Sequence, residues 1–396
     1  MRAVLNGAIY TPTRIIPREG VVLVEDGVIV DVGTVDQVGV PEGAERVDAG
    51  GGIICPGYVD IHVHGGGGAD AADGTPEAVR MAACRLARAG TTSFLPTTAT
   101  APFAEIWEAF DAIAAVMGDR RPEEARALGI HMEGPLFSLQ QVGAHNASLL
   151  RMPDAEERER LLSYSGSLAR VTLAPEREGA MDLIRDLSAR GVLVSGGHSD
   201  ALYAEVCAAM EAGLRHITHL WSSMSLMRRI GPKRHSGMLE AALVEDGLTA
   251  EMIADGYHLP TSLMKIAYRM KGPEKLALVS DAMRASGMGP GEYDLAGIVA
   301  VVEEGAGVAV TRDRKAFAGS ISTMARCVRE VVQVVGVSLV DALRMATETP
   351  ARIVGVEDRV GRLARGLAAD LLILDPLTLL PRQVIVGGEL LDGVAP

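Results

Sequence analysis

Eight short apolar or β-branched segments, most of them separated by helical segments, constrain the fold of this chain more than any other feature. In order along the chain they are "GYVDIHVHG", "TTSFLPTTAT", "ALGIHMEGP", "RVTLAPE", "GVLVSGGHSD", "LRHITHLW", "TAEMIADGYHLP" and "LALVSDAM". Eight strand–helix units predict a (β/α)8 TIM barrel, whose active site lies at the carboxyl ends of the strands. A doubly wound open sheet is the alternative, but no GxGxxG motif follows the first strand.

The segments between these runs carry helix signals. In "TPEAVRMAACRLARAG", Thr75 is suited to the N-cap, Pro76 to the first turn and a glycine to the carboxyl end. Further helices are predicted for "DAEERERLLSYSG", "GAMDLIRDLSARG" and "YAEVCAAMEAG".

The two ends of the chain have a different sequence pattern from its middle. Residues 1–52 and 355–396 both contain short strands with turn signals. They predict one small β-sandwich domain assembled from both termini, around a barrel domain at 53–354. A chain of 396 residues has room for both.

Composition excludes several classes of partner. The chain has 38 Lys and Arg against 51 Asp and Glu, a formal charge of −13. Without a basic run, this argues against nucleic acid or an anionic membrane as the main partner. The start lacks the layout of a signal peptide and no apolar run reaches membrane-spanning length. Four cysteines without a CxxC pair suit a reducing compartment, so we expect a cytoplasmic protein.

Polar residues end the apolar strands. In "VDIHVHGGGGAD", His62 and His64 alternate, so both can face one side of a strand, and the glycines that follow permit a sharp turn. A barrel brings the strand ends into one ring. Imidazole and carboxylate are the ligands expected for zinc or a similar divalent ion. The residues at or just after the other strand ends are Glu133, His145, His198, His219, His258 and Asp281.

Three remaining histidines are given structural interpretations. In "HITHL", His216 and His219 face opposite sides of a strand, so only one can face the barrel mouth. We choose His219, which is nearer the strand end, and expect His216 either to pack in the barrel or to contact a metal ligand. His131 lies deeper in its strand, where a structural role is preferred to contact with a metal ligand. His235 lies in a charged segment that is expected to be a solvated loop.

The chain resembles the N-acetylglucosamine-6-phosphate deacetylases of the amidohydrolase superfamily along essentially its whole length. Segments such as "HMEGP", "GHSDA" and "SDAM…GEYDLAG" carry the resemblance more specifically than the paired histidines do. The matching segments are "PGYVDIHVHG", "TSFLPT", "GIHMEGP", "GAHN", "LAPE", "GGHSDA", "THLWSSM", "IADGYHL", "VSDAMRASGMGPGEYDLAG", "FAGS", "ATETPARIVG" and "GRLARGLAADLLILD".

The resemblance implies a role for each strand-end residue. Glu133, His198 and His219 are expected to hold the principal metal, and His62 and His64, with Glu133 bridging, a second one. Asp281 is expected to act as general base and acid, and His145 to polarise the acyl carbonyl. His258 and Arg234 match positions that contact the sugar phosphate across a dimer interface, so a homodimer is implied.

The lysine distribution supports Glu133 as the bridging residue. Hydantoinase-like and dihydroorotase-like relatives bridge two metals with a modified lysine on strand 4, whereas this chain has no lysine before Lys233. The implied cofactor is one or two divalent cations per subunit, zinc first, with iron, manganese or cobalt as alternatives.

The substrate side departs from the family pattern. Ser222 and Ser223 stand where these deacetylases usually have Asn-Ala, and "LMRRIGPKRHSG" follows the usual Arg-Glu-Pro-Gly only loosely. Arg228, Arg229 or Lys233 could therefore replace Arg234.

The expected reaction is hydrolysis of N-acetyl-D-glucosamine 6-phosphate to D-glucosamine 6-phosphate and acetate. Another N-acyl amino sugar, such as N-acetylgalactosamine 6-phosphate, is the nearest alternative. A non-catalytic relative that uses the barrel for assembly would have lost ligands, and none is lost here.

Overall fold

A mixed sheet begins at the amino terminus of the computed structural model, which describes residues 1–11 and 15–395. Strand β1 lies in its middle, antiparallel to β2 and parallel to β4 and β5. Its residues Val4 and Ile9 are fully buried. The elements of this part are β1 (Arg2–Tyr10), β2 (Ile15–Glu25), β3 (Val28–Thr34), α1 (Val35–Val38), β4 (Glu45–Asp48) and β5 (Ile53–Pro56).

Eight parallel strands follow and form a nearly closed barrel, which confirms the predicted fold. Each of the eight predicted segments contains one strand. They are β6 (Tyr58–Val63), β9 (Thr91–Thr98), β11 (Ile130–Glu133), β12 (Leu168–Leu173), β13 (Leu193–Gly196), β14 (Leu214–Ile217), β17 (Thr249–Ile253) and β18 (Leu276–Val279). Short strands flank them: β7 (Gly65–Gly66), β8 (Ala69–Asp70), β10 (Arg126–Ala127), β15 (Arg228–Ile230) and β16 (Lys233–His235).

The barrel closes between its first and last strands without a regular ladder. The backbone N–H of Asp281 donates to the carbonyl of His62 at 3.0 Å. The N–H of Ser280 donates to the buried carboxylate of Asp60 at 3.3 Å, and its hydroxyl donates to the same carboxylate. These bonds hold the carboxyl ends of β6 and β18 side by side.

Helices cover the outside of the barrel. The first long one begins as predicted, since the Thr75 hydroxyl accepts from the N–H of Ala78 at 3.3 Å. Among the described residues, none of the helices has the length and apolar character needed to cross a bilayer. The helices are α2 (Pro76–Arg88), α3 (Phe103–Gly118), α4 (Ala155–Ser163), α5 (Ala180–Ala189), α6 (Tyr203–Ala212), α7 (Met238–Val244), α8 (Thr261–Lys275), α9 (Met324–Glu330), α10 (Leu339–Ala346) and α11 (Glu348–Ile353).

A small antiparallel sheet after β18 was not predicted. It has its own apolar cluster, which includes Met283, Leu295 and Ala300, and it brings Phe317 to the barrel mouth. The strands are β19 (Gly291–Leu295), β20 (Ile298–Val302), β21 (Val308–Thr311) and β22 (Phe317–Ser320).

The carboxyl-terminal strands complete the first sheet, so both termini form one sheet as predicted. Strand β5 pairs with β1 on one side and, antiparallel, with β23 on the other. Leu371 and Ile373 pack into the core of this sheet, whereas Leu372 and Leu374 belong to the large barrel core. The strands are β23 (Leu371–Leu374), β24 (Pro381–Val386) and β25 (Glu389–Leu390). The domain limits at 52 and 354 remain predictions.

Candidate metal centre and active site

A cavity of about 210 Å³ opens at the carboxyl ends of the barrel strands. Nine of the eleven residues singled out in the sequence line it, whereas His62 lies fully buried beside it and Arg234 lies outside it. The nine are His64, Glu133, His145, His198, His219, Ser222, Ser223, His258 and Asp281.

The carboxylate of Glu133 is the centre of this site. It ends β11, and its side chain is only 2% exposed. Four imidazole Nε2 atoms surround it, at 3.3 Å for His62, 3.2 Å for His64, 3.5 Å for His198 and 3.2 Å for His219. One carboxylate therefore lies between imidazoles from both halves of the barrel.

Sharp turns at the strand ends aim several of these side chains inward. His198, His219 and Asp281 have φ angles of 48°, 24° and 48°, in a left-handed region that non-glycine residues rarely adopt. Such strain persists where surrounding structure fixes it, commonly at functional sites. The turns explain how the chain leaves each strand while its last polar side chain remains at the barrel mouth.

Hydrogen bonds at Nδ1 fix three of the four rings. His62 Nδ1 lies 2.7 Å from Glu251 Oε1, His64 Nδ1 lies 3.2 Å from the Thr97 carbonyl, and His198 Nδ1 lies 3.0 Å from the Gln141 carbonyl. These acceptors assign a proton to each Nδ1, which leaves the Nε2 lone pairs directed at the centre.

Among the described residues that line the cavity, only protonated imidazoles can carry positive charge. Burial disfavours a charged ring, yet the nearby carboxylates of Asp281 and Glu133 outweigh it and raise the pKa of His64 to about 10. Burial alone would raise the pKa of Glu133, but His62, His198 and His219 hold it well below its usual range. A cation bound here would replace those protons.

The donor set fits a divalent cation. Two groups have ligand atoms within 4.8 Å of one another: Glu133 with His198 and His219, and Glu133 with His62 and His64. The Nε2 atoms of His198 and His219 lie 3.1 Å apart, and that of His62 has no hydrogen-bond partner among the described residues. Without a proton or metal ion between them, these lone pairs and the carboxylate would repel one another.

His145 is positioned as a neutral hydrogen-bond donor. Burial, with a further contribution from His198, lowers its pKa to about 3. Its Nδ1 accepts from the N–H of Thr100 at 3.4 Å, so the proton lies on Nε2. That atom lies 3.9 Å from Glu133 Oε2, at the edge of the metal centre.

Of the candidate phosphate-binding residues, some lie in the cavity and others lie on the surface. His258 lines the cavity, with Nδ1 2.7 Å from Asp255 Oδ2 and its ring 4.7 Å from that of Phe317. The β15–β16 hairpin, which carries Arg234 and the alternatives Arg229 and Lys233, is exposed. Arg228 donates to Asp200 at 2.6 Å. Among the described residues that line the cavity there is no Lys or Arg.

The other three histidines lie outside the cavity lining. His131 is bonded to the hydroxyls of Thr97 and Thr172, and His216 to Thr249 and Glu251, all within the barrel. His235 lies on the exposed hairpin.

Sequence analysis missed two features of the cavity wall. Phe317 enters from the small sheet that was not predicted. Gly143, with φ at +60°, leaves room for no side chain, because a Cβ would lie 2.6 Å from Ser223 Oγ and 3.0 Å from His198 Cε1. The segment "GAHN" was noted for His145, but its glycine was not.

Comparison with protein families assigns the class. The model of the amidohydrolase family matches residues 53–391. The chain therefore belongs to the amidohydrolase family, in agreement with its barrel and its ring of histidines and carboxylates.

Individual relatives narrow the assignment. The chain is 34% identical over 351 residues to an N-acetylglucosamine-6-phosphate deacetylase from Lysinibacillus sphaericus, covering 87% of each chain. It is 37% identical over 339 residues to an N-acetylgalactosamine-6-phosphate deacetylase from Escherichia coli O157:H7, covering 85% of this chain and 87% of that one.

A solved structure of a deacetylase is also similar to this chain. A mutant N-acetyl-D-glucosamine-6-phosphate deacetylase from Mycobacterium smegmatis, in complex with N-acetyl-D-glucosamine 6-phosphate, superposes with a TM-score of 0.88 at 33% identity, covering 98% of each chain. Within the amidohydrolases, the chain belongs to the N-acetylglucosamine-6-phosphate deacetylase family.

The central position of Glu133 predicts the behaviour of the metal. Glu133→Ala or His198→Ala should lose most bound metal and nearly all turnover, whereas His62→Ala should lose less. Glu105→Ala, on the exposed side of α3, is the matched control and should keep both. Elemental analysis of the purified variants measures this, and full metal retention in Glu133→Ala would contradict the assignment.

Proposed function

We propose that this protein hydrolyses N-acetyl-D-glucosamine 6-phosphate to D-glucosamine 6-phosphate and acetate. The observation that carries the proposal is the convergence of Glu133, His198, His219 and Asp281 on one cavity. The relatives, which are deacetylases of amino-sugar phosphates, support the choice of substrate.

Glu133, His198 and His219 would hold the principal cation, and His62 and His64, with Glu133 bridging, a second. We propose zinc, because a site of imidazole and carboxylate ligands suits it. Iron, manganese and cobalt are alternatives with the same ligands. When bound, a divalent cation lowers the pKa of water and polarises a carbonyl oxygen.

Asp281 would transfer the proton. Burial alone would raise the pKa of this carboxyl, but His62 and His64 hold it below its usual range, so it is ionised and able to accept. It takes a proton from the attacking water and delivers it to the departing amine nitrogen. Such acid–base catalysis typically contributes about 10²–10⁴-fold.

His145 would stabilise the acyl oxygen. Its protonated Nε2 faces the cavity beside Glu133, and its Nδ1 is fixed by the backbone of Thr100. A donor that is oriented before reaction stabilises the negative charge that develops on the carbonyl oxygen.

N-acetylgalactosamine 6-phosphate is the second candidate substrate. Ser222 and Ser223 line the cavity where family members usually have Asn-Ala, and their hydroxyls can both donate and accept. The Escherichia coli relative acts on that sugar according to its name, at slightly higher identity than the Lysinibacillus sphaericus enzyme.

Phosphate binding is proposed to need two copies of the chain. His258 faces the cavity, whereas Arg234 lies on an exposed hairpin, so a homodimer would let that hairpin reach its partner's cavity. Leu226, Met227 and Ile230, which are about half exposed beside the basic residues, support such an interface. Arginine grips phosphate through paired hydrogen bonds.

A cytoplasmic location is also proposed. Cys55, Cys84, Cys207 and Cys327 are all free in the described structure. Unpaired cysteines are typical of reducing compartments.

Acetate release from a panel of sugars tests the proposed function. The native protein should act on N-acetylglucosamine 6-phosphate with a kcat/KM well above that for unphosphorylated N-acetylglucosamine. N-acetylgalactosamine 6-phosphate separates the two candidates. Equal kcat/KM with and without the phosphate would overturn the phosphate assignment, and no acetate from any sugar would overturn the function.

Asp281→Asn should separate chemistry from binding. The amide keeps the size of the side chain but cannot take the proton, so kcat should fall by about 10²-fold or more while metal content stays near that of the native protein. Asp294→Asn, on the exposed face of β19, is the control and should leave kcat unchanged. A native kcat in Asp281→Asn would assign proton transfer elsewhere.

Arg234→Ala should affect the phosphorylated substrate selectively. Loss of the guanidinium should raise KM for N-acetylglucosamine 6-phosphate much more than for N-acetylglucosamine, without dissociating the dimer. Arg185→Ala on α5, which is also an exposed arginine, is the control. Steady-state kinetics with both sugars measures the difference, and an equal effect on both would exclude Arg234 as the phosphate ligand.

A further inference from the structure

A fully buried ion pair lies inside the barrel beneath the candidate metal centre. Arg170 in β12 and Glu251 in β17 are both 0% exposed, and they share two hydrogen bonds of 2.6 and 3.0 Å. Removing two charges from water is costly, and the pair by itself is weak evidence for stability. The position of the Arg170–Glu251 pair beneath the candidate metal centre therefore indicates a functional role.

Every N–H group of Arg170 has an acceptor. Besides Glu251, the guanidinium donates to the hydroxyls of Ser195 and Thr218 at 2.9 and 2.8 Å, and to the carbonyl of Ile61 at 3.1 Å. Because its five N–H donors meet five acceptor atoms, the guanidinium has no freedom to rotate. Arg170 thus fixes the position of the Glu251 carboxylate.

Glu251 in turn contacts one ligand from each candidate metal group. Its Oε1 lies 2.7 Å from His62 Nδ1 and accepts from the backbone N–H of His219 at 3.3 Å. Its Oε2 lies 3.2 Å from His216 Nε2. The shortest of these contacts orients the His62 ring, whose other nitrogen faces Glu133 and Asp281.

His62 differs from the other candidate ligands in this respect. The rings of His64 and His198 donate to neutral backbone carbonyls, whereas His62 donates to a carboxylate. A carboxylate behind a metal-binding imidazole fixes its tautomer and makes it a stronger ligand, and loss of such a partner typically costs about 10–100-fold in metal affinity.

We propose that Glu251, held by Arg170, is a positioning residue that builds the second cation site through His62. The inference rests on the proposed function, because it assumes that divalent ions occupy the Glu133 centre. It adds that occupancy of the His62–His64 position depends on a charged pair that touches neither substrate nor metal.

Glu251→Gln is the direct test. Arg170 presents an N–H to each carboxylate oxygen, so the amide NH2 would meet a donor in either orientation. Arg170→Lys is the second variant, since it keeps the charge but loses the paired hydrogen bonds. Glu124→Gln is the matched control, because Glu124 is also 0% exposed and forms two bonds to Arg80 at the barrel exterior.

Titration of the metal-free proteins with Zn²⁺ against a chelator gives the affinity for each ion. The native protein should bind two ions, and Glu251→Gln should bind the weaker one about 10–100-fold less tightly while the tighter one changes little. Arg170→Lys should show a smaller shift in the same direction. Glu124→Gln should lower Tm without changing either affinity.

Native affinity for both ions in Glu251→Gln, or equal weakening of both, would overturn the inference. A native protein that deacetylates with a single ion would also overturn it, while leaving the proposed function intact. A native protein that neither binds Zn²⁺ nor releases acetate would contradict the proposed function itself.

Discussion

The buried carboxylate of Glu133 is the interaction on which the site depends. Four imidazole nitrogens lie within 3.5 Å of it, and its side chain has almost no contact with solvent. A carboxylate in this position is stable only with positive charge beside it. This need for positive charge raises the pKa of His64 and lowers the pKa of Glu133. A divalent cation would also supply that charge.

The barrel satisfies this requirement by bringing together residues that are distant in sequence. His62 and Asp281 are held side by side because β6 and β18 meet at the closure of the barrel. Left-handed backbone at His198 and His219 turns the chain away while both rings stay at the mouth. Beneath them, the Arg170–Glu251 pair fixes the ring of His62, so the site has support from within the barrel.

The fold and most of the cavity wall could be predicted from sequence because both depend on strand ends. Apolar runs located the strands, and a polar residue such as Glu133 or His198 at the end of a run pointed to the barrel mouth. The domain limits and the roles of individual residues remain predictions.

Other features were not predicted, because the residues that indicate them do not lie at strand ends. Arg170 and Glu251 lie within β12 and β17, in "LARVTL" and "TAEMI", and they meet only because both side chains enter the barrel interior. A charged residue inside each of two apolar strands was the available signal. The small sheet of β19–β22 had a signal of its own, because "IVAVVEEGAGVAV" contains two short apolar runs separated by glycines.

The central claim is that Glu133 binds a divalent cation at the barrel mouth. Anomalous diffraction at the zinc edge, from crystals of the zinc-loaded protein, tests it most directly. We predict a strong peak about 2.0–2.2 Å from a Glu133 carboxylate oxygen and from the Nε2 atoms of His198 and His219. No peak among these three residues, or zinc bound only elsewhere on the protein, would contradict it.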